Sequence, residues 1–375
     1  MTDKITFADI FSGCGGLSYG FYKKRIYQGI VAIDHSHAAG KVFEQNHHKM
    51  PFQLRDLYDD EQVKEVTSLL KGKCDVLLGG PPCQGFSTLG KRRDADKRST
   101  LVDVFLNLIR TVKPKIAIIE NVRGIKTMIH PSGKTYPAHM RNFVNKNCLP
   151  GYDVEELFIN TENYGLAQTR IRYLFIAVRK DINISSEVLR KIVESIINQK
   201  KSRTRTLREV IGDLPHIESG GGSDELIDSA QDGKKVFTYN HKAMKHSEAL
   251  LERLRHVPVG GGLPDVPDHL LTSHLRKMLQ GDYGSGGHVK NIYGRLDWDK
   301  PSGTIVAGID KITCGRFVHP QAHRLLTPRE CARIQSFPDD FIFKGSSVAQ
   351  YYMIGNAVPP LISNVLATAV ASALR

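Results

Sequence analysis

Cys83 is the residue in this chain of 375 whose neighbours are arranged for nucleophilic chemistry. Pro81 and Pro82 before it fix two φ angles and withhold two amide donors, so the thiol stands on a stiff turn. A free thiol has a pKa near ~8.5 and becomes a good nucleophile when neighbouring cations lower it. Lys91, Arg92, Arg93, Lys97 and Arg98 follow within fifteen residues. A structural cysteine in a loop is the plain alternative, and companion groups elsewhere must decide. Glu120 is the first companion. It closes the apolar run IAII, where partial desolvation would raise its pKa and suit it to general-acid work. Pairing with an arginine at a strand end is its other reading, and Asn121 beside it ties the turn together. Arg170 and Arg172 fall on one face of an entering strand, with Gln168 next to them. Two guanidiniums so placed bind an acceptor oxygen or a phosphate, unless they simply face solvent.

A second constellation lies at the N-terminal end. The apolar run KITFADIF is followed by Gly13, Gly15 and Gly16, which permit positive φ and close backbone approach to a ligand at a strand-to-helix turn. The dinucleotide fingerprint GxGxxG is absent, because Ser18 occupies its third glycine position. Asp34 ends the next strand, GIVAI, 21 residues beyond Gly13, where a carboxylate can accept bonds from ribose hydroxyls. Asp56 follows FQLR at the end of a third strand. Glycine turn and two acidic strand ends together describe an adenosine-containing cofactor site, although either aspartate alone could cap a helix.

The elements that position these groups alternate strand, helix, strand. CDVLLGG runs out of a buried strand into the Cys83 turn. Leu101, Val104, Phe105, Leu108 and Ile109 give the following helix one apolar face. KIAIIENV, GYDVEELFIN and RYLFIAVRK read as further strands. The fold class is α/β, with a doubly wound, mostly parallel sheet whose carboxyl strand ends gather the chemistry. After Lys180 comes a helix over 187–198, a basic connector, and loop-rich sequence with three glycine clusters. This predicts a second, smaller, irregular domain over 186–344, with 1–185 and 345–375 forming the first. Thr327 caps a helix with Pro328 at its first position, and an apolar helix from Leu361 to Leu374 returns to the core.

Composition narrows the partner. The net charge is +13, and residues 84–180 hold 17 basic and 8 acidic side chains against 18 and 17 in 181–300. Positive charge concentrated around a candidate nucleophile points to nucleic acid. The six cysteines are scattered without CxxC or histidine spacing, so neither a metal site nor a disulfide framework is expected. His241, His246, His256, His269, His274 and His288 read as surface or packing residues. No apolar run approaches the ~20 residues of a membrane span and no signal-peptide pattern appears, so a cytoplasmic protein is expected.

In order, FADIFSGCGGLSYGF, GGPPCQGFST, ENVRG, QTRIR, RLLTPRECARIQSFPDDF and IGNAVPP resemble the DNA (cytosine-5) methyltransferases of bacterial restriction–modification systems. The resemblance spans almost the whole chain, and 181–300 corresponds to the variable target-recognition region. It implies a Rossmann-like S-adenosyl-L-methionine-dependent fold with duplex DNA between two lobes, acting as a monomer alongside a cognate restriction endonuclease. By resemblance Cys83 adds to carbon-6 of a flipped cytosine and Glu120 protonates ring nitrogen 3. Arg172 binds the cytosine carbonyl oxygen, and Arg170 braces the site. Phe11, Gly13, Gly15, Leu17 and Asp34 match cofactor-contacting positions, as do Asp56, Pro81, Leu101, Asn356 and Val358. Gln84, Ser87, Asn121 and Gln168 match substrate-contacting positions, and the loop 84–98 resembles the lid that closes over the flipped base. Asp34 stands where the family commonly has glutamate, one methylene longer. A transfer-RNA cytosine-5 methyltransferase and a catalytically silent DNA-binding regulator on the same scaffold are the alternatives.

Overall fold

The computed structural model describes residues 4–82, 100–182, 185–201, 203–225, 227–231, 234–280 and 289–374. Seven strands form one sheet: β1 (Ile5–Ile10), β2 (Tyr27–Asp34), β3 (Phe52–Leu54), β4 (Val76–Gly79), β5 (Ile116–Val122), β6 (Tyr152–Asn160) and β7 (Ile171–Arg179). Their spatial order is β3-β2-β1-β4-β5-β7-β6. The pairs from β3 to β5 are parallel, and β7 runs antiparallel to both β5 and β6. The mostly parallel sheet read from the sequence is present, with β7 alone running against the other six strands. Phe7, Ala8 and Ile10, Val76 to Leu78, and Ile116 to Ile119 are all fully buried. Continuous apolar runs of this kind belong to strands covered on both faces.

The covering helices are α1 (Tyr19–Lys23), α2 (His37–Asn46), α3 (Asp60–Leu70), α4 (Thr100–Val112), α5 (Tyr136–Lys146) and α6 (Ser185–Asn198). In α4, Leu101, Val102, Phe105, Leu106, Leu108, Ile109 and Val112 are buried. At ~1.5–3 kcal/mol per large apolar side chain, that burial outweighs any propensity argument for or against the helix. Gly79, the last residue of β4, lets α4 come close: a Cβ there would lie 2.1 Å from the Phe105 ring. The sheet winds outward from β1 in one direction and from β4 in the other. The carboxyl ends of β1 and β4 therefore flank the point where strand order reverses, the crevice where open α/β sheets bind ligands.

The remaining elements are short: α7 (Leu207–Ile211), β8 (Gly222–Ser223), β9 (Ile227–Gln231), β10 (Lys234–Thr238), β11 (His241–Lys242), α8 (Glu248–Arg255), α9 (Ser273–Leu279), α10 (Pro328–Ile334) and α11 (Ser347–Asn356). Buried arginines gather the loops between them. Arg295 donates to the carbonyls of Val257, His319, Ala322 and Leu254 at 2.7–2.9 Å. Arg329 donates to those of Tyr239, Pro338 and Phe341. Arg324 forms a bidentate pair with Glu330, both contacts 2.8 Å. As the sequence predicts, Thr327 caps α10 and Pro328 opens it, and Glu330 completes the capping box.

The last helix, α12 (Pro360–Leu374), lies against α1 and α6. Gly20 N–H donates to Ser363 Oγ at 2.8 Å, and Gln199 Nε2 to the Val365 carbonyl at 3.1 Å. The chain thus divides into one unit of Met1–Tyr164, Ile171–Lys201 and Ala357–Arg375, and a second of Gly165–Arg170 and Ser202–Asn356. These boundaries differ from the sequence expectation of 185/186 and 344/345. Helix α6 buries Val188, Leu189, Ile192 and Ile196 on the side of β6, β7 and α12, whereas α11 packs on α10. Ser347–Leu374 is long and apolar enough by composition for a membrane span, but it is two helices and 61% of its apolar window is buried.

Candidate active site

Two segments meet at the end of β1. Phe11, Gly13 and Gly15 have φ of 60°, 54° and 92°, so the chain turns sharply after the strand. A Cβ on Gly13 would meet nothing within 4 Å, which leaves room above the turn. At Gly16 a Cβ would sit 2.3 Å from the Val358 carbonyl oxygen. Only glycine permits that approach, and it joins the GCGG turn to the NAVPP segment. Leu17 and Val358 are buried there. At the end of β2, Asp34 Oδ2 accepts from Gly13 N and Oδ1 from Ser36 N, both at 2.8 Å. A carboxylate has about four acceptor positions, so these two bonds orient Asp34 and leave capacity for a pair of hydroxyls. Turn, room and oriented acceptor fit an adenosine cofactor. Asp56 lies two residues past β3 and is exposed, its Oδ1 accepting from Tyr58 N at 3.0 Å. The cap of α3 falls to Asp59. Pro81 and Leu101 are buried, and Asn356 is exposed at the end of α11.

Asp9, the penultimate residue of β1, escaped the sequence reading. It is fully buried, and neither carboxylate oxygen meets a donor with hydrogen-bond geometry. Burial raises its pKa to about 7, with Ser18 opposing the rise and the Asp34 charge adding to it. Its signal was a lone acidic residue inside the apolar run ITFADIF.

Beyond β4, Glu120 and Arg172 face each other across the β5–β7 pair. Val122 is in register with Arg172, two residues from Glu120 on the same face of the sheet. Arg172 Nε lies 2.9 Å from Glu120 Oε1, and both side chains are nearly buried. A Cβ on Gly80 would lie 3.5 Å from Glu120 Oε2, so this carboxylate sits against the turn that leads to residue 83. Asn121 Nδ2 donates to the Pro81 carbonyl at 3.1 Å and its Oδ1 accepts from Val122 N at 2.9 Å. Both ends of that amide tie the turn, as expected from the sequence. Cys83, Gln84, Ser87 and the loop 84–98 lie outside the described residues.

Arg170 does not share a face with Arg172. It precedes β7 and is buried in the second unit, where it donates to the carbonyls of Ile305 at 2.8 Å and Gly355 at 2.9 Å. Gln168 is likewise spent there, donating to Gln335 Oε1 at 2.9 Å and accepting from Ile305 N at 2.8 Å. The reason is a parallel bridge between Gln168 and Ser302, which draws residues 165–170 out of strand alternation. The other thiols are poor nucleophiles. Burial pushes Cys14 and Cys74 up to about 12 and Cys148 to about 11, and raises Cys314 and Cys331 as well.

A mostly parallel seven-stranded sheet with a glycine turn after β1 and an acidic end on β2 defines a methyltransferase-type α/β fold. Residues 5–372 match the C-5 cytosine-specific DNA methylase family, and the chain belongs to that family. It is 32% identical over 372 residues to the Type II methyltransferase M1.HphI of Haemophilus parahaemolyticus, covering 98% of this chain and 86% of that protein. To the Type II methyltransferase M.DdeI of Desulfomicrobium norvegicum it is 32% identical over 385 residues, covering 96% and 86%. Among solved structures, a prophage-encoded DNA modification methyltransferase of E. coli superposes with a TM-score of 0.70 at 23% identity over 99% of each chain. The S. pombe Dnmt2 methyltransferase does so with a TM-score of 0.61 at 16% identity, covering 99% of this chain and 100% of that one. The last two likenesses concern the fold.

Proposed function

We propose that this protein methylates carbon-5 of a cytosine flipped out of duplex DNA, through a covalent adduct on Cys83. The observation that carries the proposal is the Glu120–Arg172 pair lying against Gly80, three residues before Cys83 in the chain. Flipping costs a few kcal/mol and is needed because the ring carbons are inaccessible in the stack. The Cys83 thiolate forms a bond to carbon-6 while the carbon-5 to carbon-6 double bond breaks. The released pair forms a carbon-4 to carbon-5 double bond, the nitrogen-3 to carbon-4 π pair moves onto nitrogen 3, and Glu120 gives its proton there. Arg172 holds Glu120 in place and donates to the cytosine carbonyl oxygen. S-adenosyl-L-methionine, when bound, supplies the methyl group. Asp34 would accept from its ribose hydroxyls, and the Phe11–Leu17 turn would help to hold it. Loss of the carbon-5 proton and then of the thiolate restores the ring and frees Cys83, so one hard substitution becomes two easier steps.

The basic segment after Cys83 favours phosphate contact. In the second unit Arg170, Arg295, Arg324 and Arg329 are spent on carbonyls or Glu330, which favours readout by other donors there. The physiological reading is a cytoplasmic monomer that protects DNA from a cognate restriction endonuclease. Duplex DNA carrying 5-fluorocytosine traps the adduct if the reading is right, and Cys83→Ser abolishes both trapping and turnover. Full activity in Cys83→Ser refutes the nucleophile, and preferential methylation of transfer RNA in competition refutes the substrate.

A further inference from the structure

We infer that Arg123, Lys126 and Phe158 form a phosphate clamp on the first unit, one that grips the sugar–phosphate backbone of the substrate duplex beside the flipped cytosine. The inference rests on the methyl-transfer reading and adds to it the residues that hold the strand. β5 and β6 both run against β7, so they are parallel and their carboxyl ends lie at the same end of the sheet. Asn121, Tyr173 and Phe158 pair in register across the three strands. At ~4.8 Å from strand to strand, the backbone at Phe158 is about 10 Å from that of Asn121, the neighbour of Glu120. The clamp therefore borders the end of the sheet that carries Glu120.

Local structure aims both cations outward. The chain leaves β5 in a 3-10 turn, Arg123–Lys126. Side chains three apart eclipse in such a turn, so Arg123 and Lys126 project from one side of it. Ile125 between them is fully buried and pins the turn to the core. Asn121 Oδ1 holds its start by accepting from Val122 N at 2.9 Å. Both cations are exposed, and among the described residues neither pairs with a carboxylate. Lys115, Arg141 and Arg179 of the same unit do, with Asp75, Glu156 and Asp181. Lys126 Nζ instead lies 5.1 Å from the centroid of the Phe158 ring. That ring is 43% exposed and stands at 63° to the buried Tyr173 ring, with centroids 5.7 Å apart.

Phosphate is the ligand that this arrangement fits. Three residues at ~2.0 Å rise set the two Cα atoms about 6 Å apart, within reach of successive phosphates of one strand. A guanidinium takes two phosphate oxygens in its planar fork, and an ammonium adds a point charge. The Phe158 face holds that ammonium by cation–π attraction in an exposed position, so less freedom is lost when a phosphate arrives. Phe158 is thus a positioning residue that acts through Lys126. Extruding a base turns its nucleotide about the backbone, and cations on the flanking phosphates fix the strand while it turns. Such contacts set register and carry no sequence information.

The test measures binding of a labelled mixed-sequence duplex to the full chain across a range of salt. Each phosphate contact contributes about 0.9 to the slope of log Kd against log salt. Arg123→Gln and Lys126→Gln should each flatten the slope by about 0.9, and the two together by about 1.8. Lys71→Gln, exposed after α3 at the opposite end of the sheet, removes the same charge and should leave the slope as it was. Phe158→Leu keeps an apolar side chain and the Lys126 charge but removes the ring. It should weaken binding about two- to fivefold, with the loss falling on KM for DNA rather than on kcat, and Phe158→Tyr should restore it. A wild-type slope in both Arg123→Gln and Lys126→Gln, or an equal loss in Lys71→Gln, overturns the clamp, and unchanged binding in Phe158→Leu overturns the positioning role. Covalent trapping on DNA carrying 5-fluorocytosine keeps the two readings apart. Variants that trap yet keep the wild-type slope refute the clamp alone, whereas a wild-type protein that never traps removes the methyl-transfer reading on which it rests.

Discussion

The two units of this protein are held together by different means. In the first, parallel strands satisfy one another's backbone groups, and helices bury apolar faces on both sides. In the second, regular elements of two to ten residues leave many carbonyls without ladder partners, and guanidiniums fill that role. Arg295 alone closes four carbonyls drawn from residues 254 to 322. A planar fork with five donors can gather chain segments that share no strand or helix. The first solution suits a floor that holds the turn after β1 and the carboxylates at the ends of β2 and β5 in fixed order. The second lets loops of irregular sequence be held between fixed pins without a ladder of strand bonds.

The comparison breaks most readily at Arg324. Arg324→Leu leaves Glu330 buried without its partner and should cost about 3–5 kcal/mol, lost from the second unit only. Hydrogen exchange should then rise over residues 202–356 while β1, β4 and β5 stay protected. Equal loss in both units would mean that the pins do not act locally.

The sheet unit has one flaw, and removing it should act in the opposite direction. Asp9 has a folded pKa of about 7, raised from 3.8 by burial. The native state therefore binds more protons than the unfolded chain between those values, and stability falls as pH rises through that window. Asp9→Asn removes the charge but keeps a buried amide, so its net gain should be about 2 kcal/mol at pH 8 and vanish near pH 4. Calorimetry across that range measures it, and a gain independent of pH would deny the titration. Such a cost beside the turn from Phe11 to Leu17 resembles the strain that functional sites retain.

Gly16→Ala sharpens the contrast at smaller scale. A Cβ 2.3 Å from the Val358 oxygen must displace backbone, and the expected cost is about 1–2 kcal/mol with weaker S-adenosyl-L-methionine binding. Gly303→Ala, in a second-unit loop where a Cβ would meet nothing within 4 Å, should leave stability unchanged. Equal effects would show that close packing at the turn is not what requires glycine.

Features carried by neighbours along the chain were legible beforehand. Continuous apolar runs gave the strands, and Thr327-Pro328-Arg329-Glu330 gave a helix start down to its capping box. Glycines 13, 15 and 16 marked the turn, and Asp34 marked the end of β2. The sequence alone also determined which groups are available: one cysteine on a proline stalk, one glutamate ending an apolar strand, and a positive segment between them.

Tertiary structure decided which of those groups are spent elsewhere. Arg170 and Arg172 look equivalent two residues apart, yet one is committed to Ile305 and Gly355 and the other to Glu120. Asp103, His130 and His139 converge in one hydrogen-bonded cluster without any spacing to announce it. Helix α6 joins the sheet because its apolar face finds β6, β7 and α12, although composition changes before it. Backbone preference and periodicity act over a few residues and can be read locally. Partner choice among buried polar groups depends on which distant segments the fold brings within three ångströms, and no local pattern encodes that.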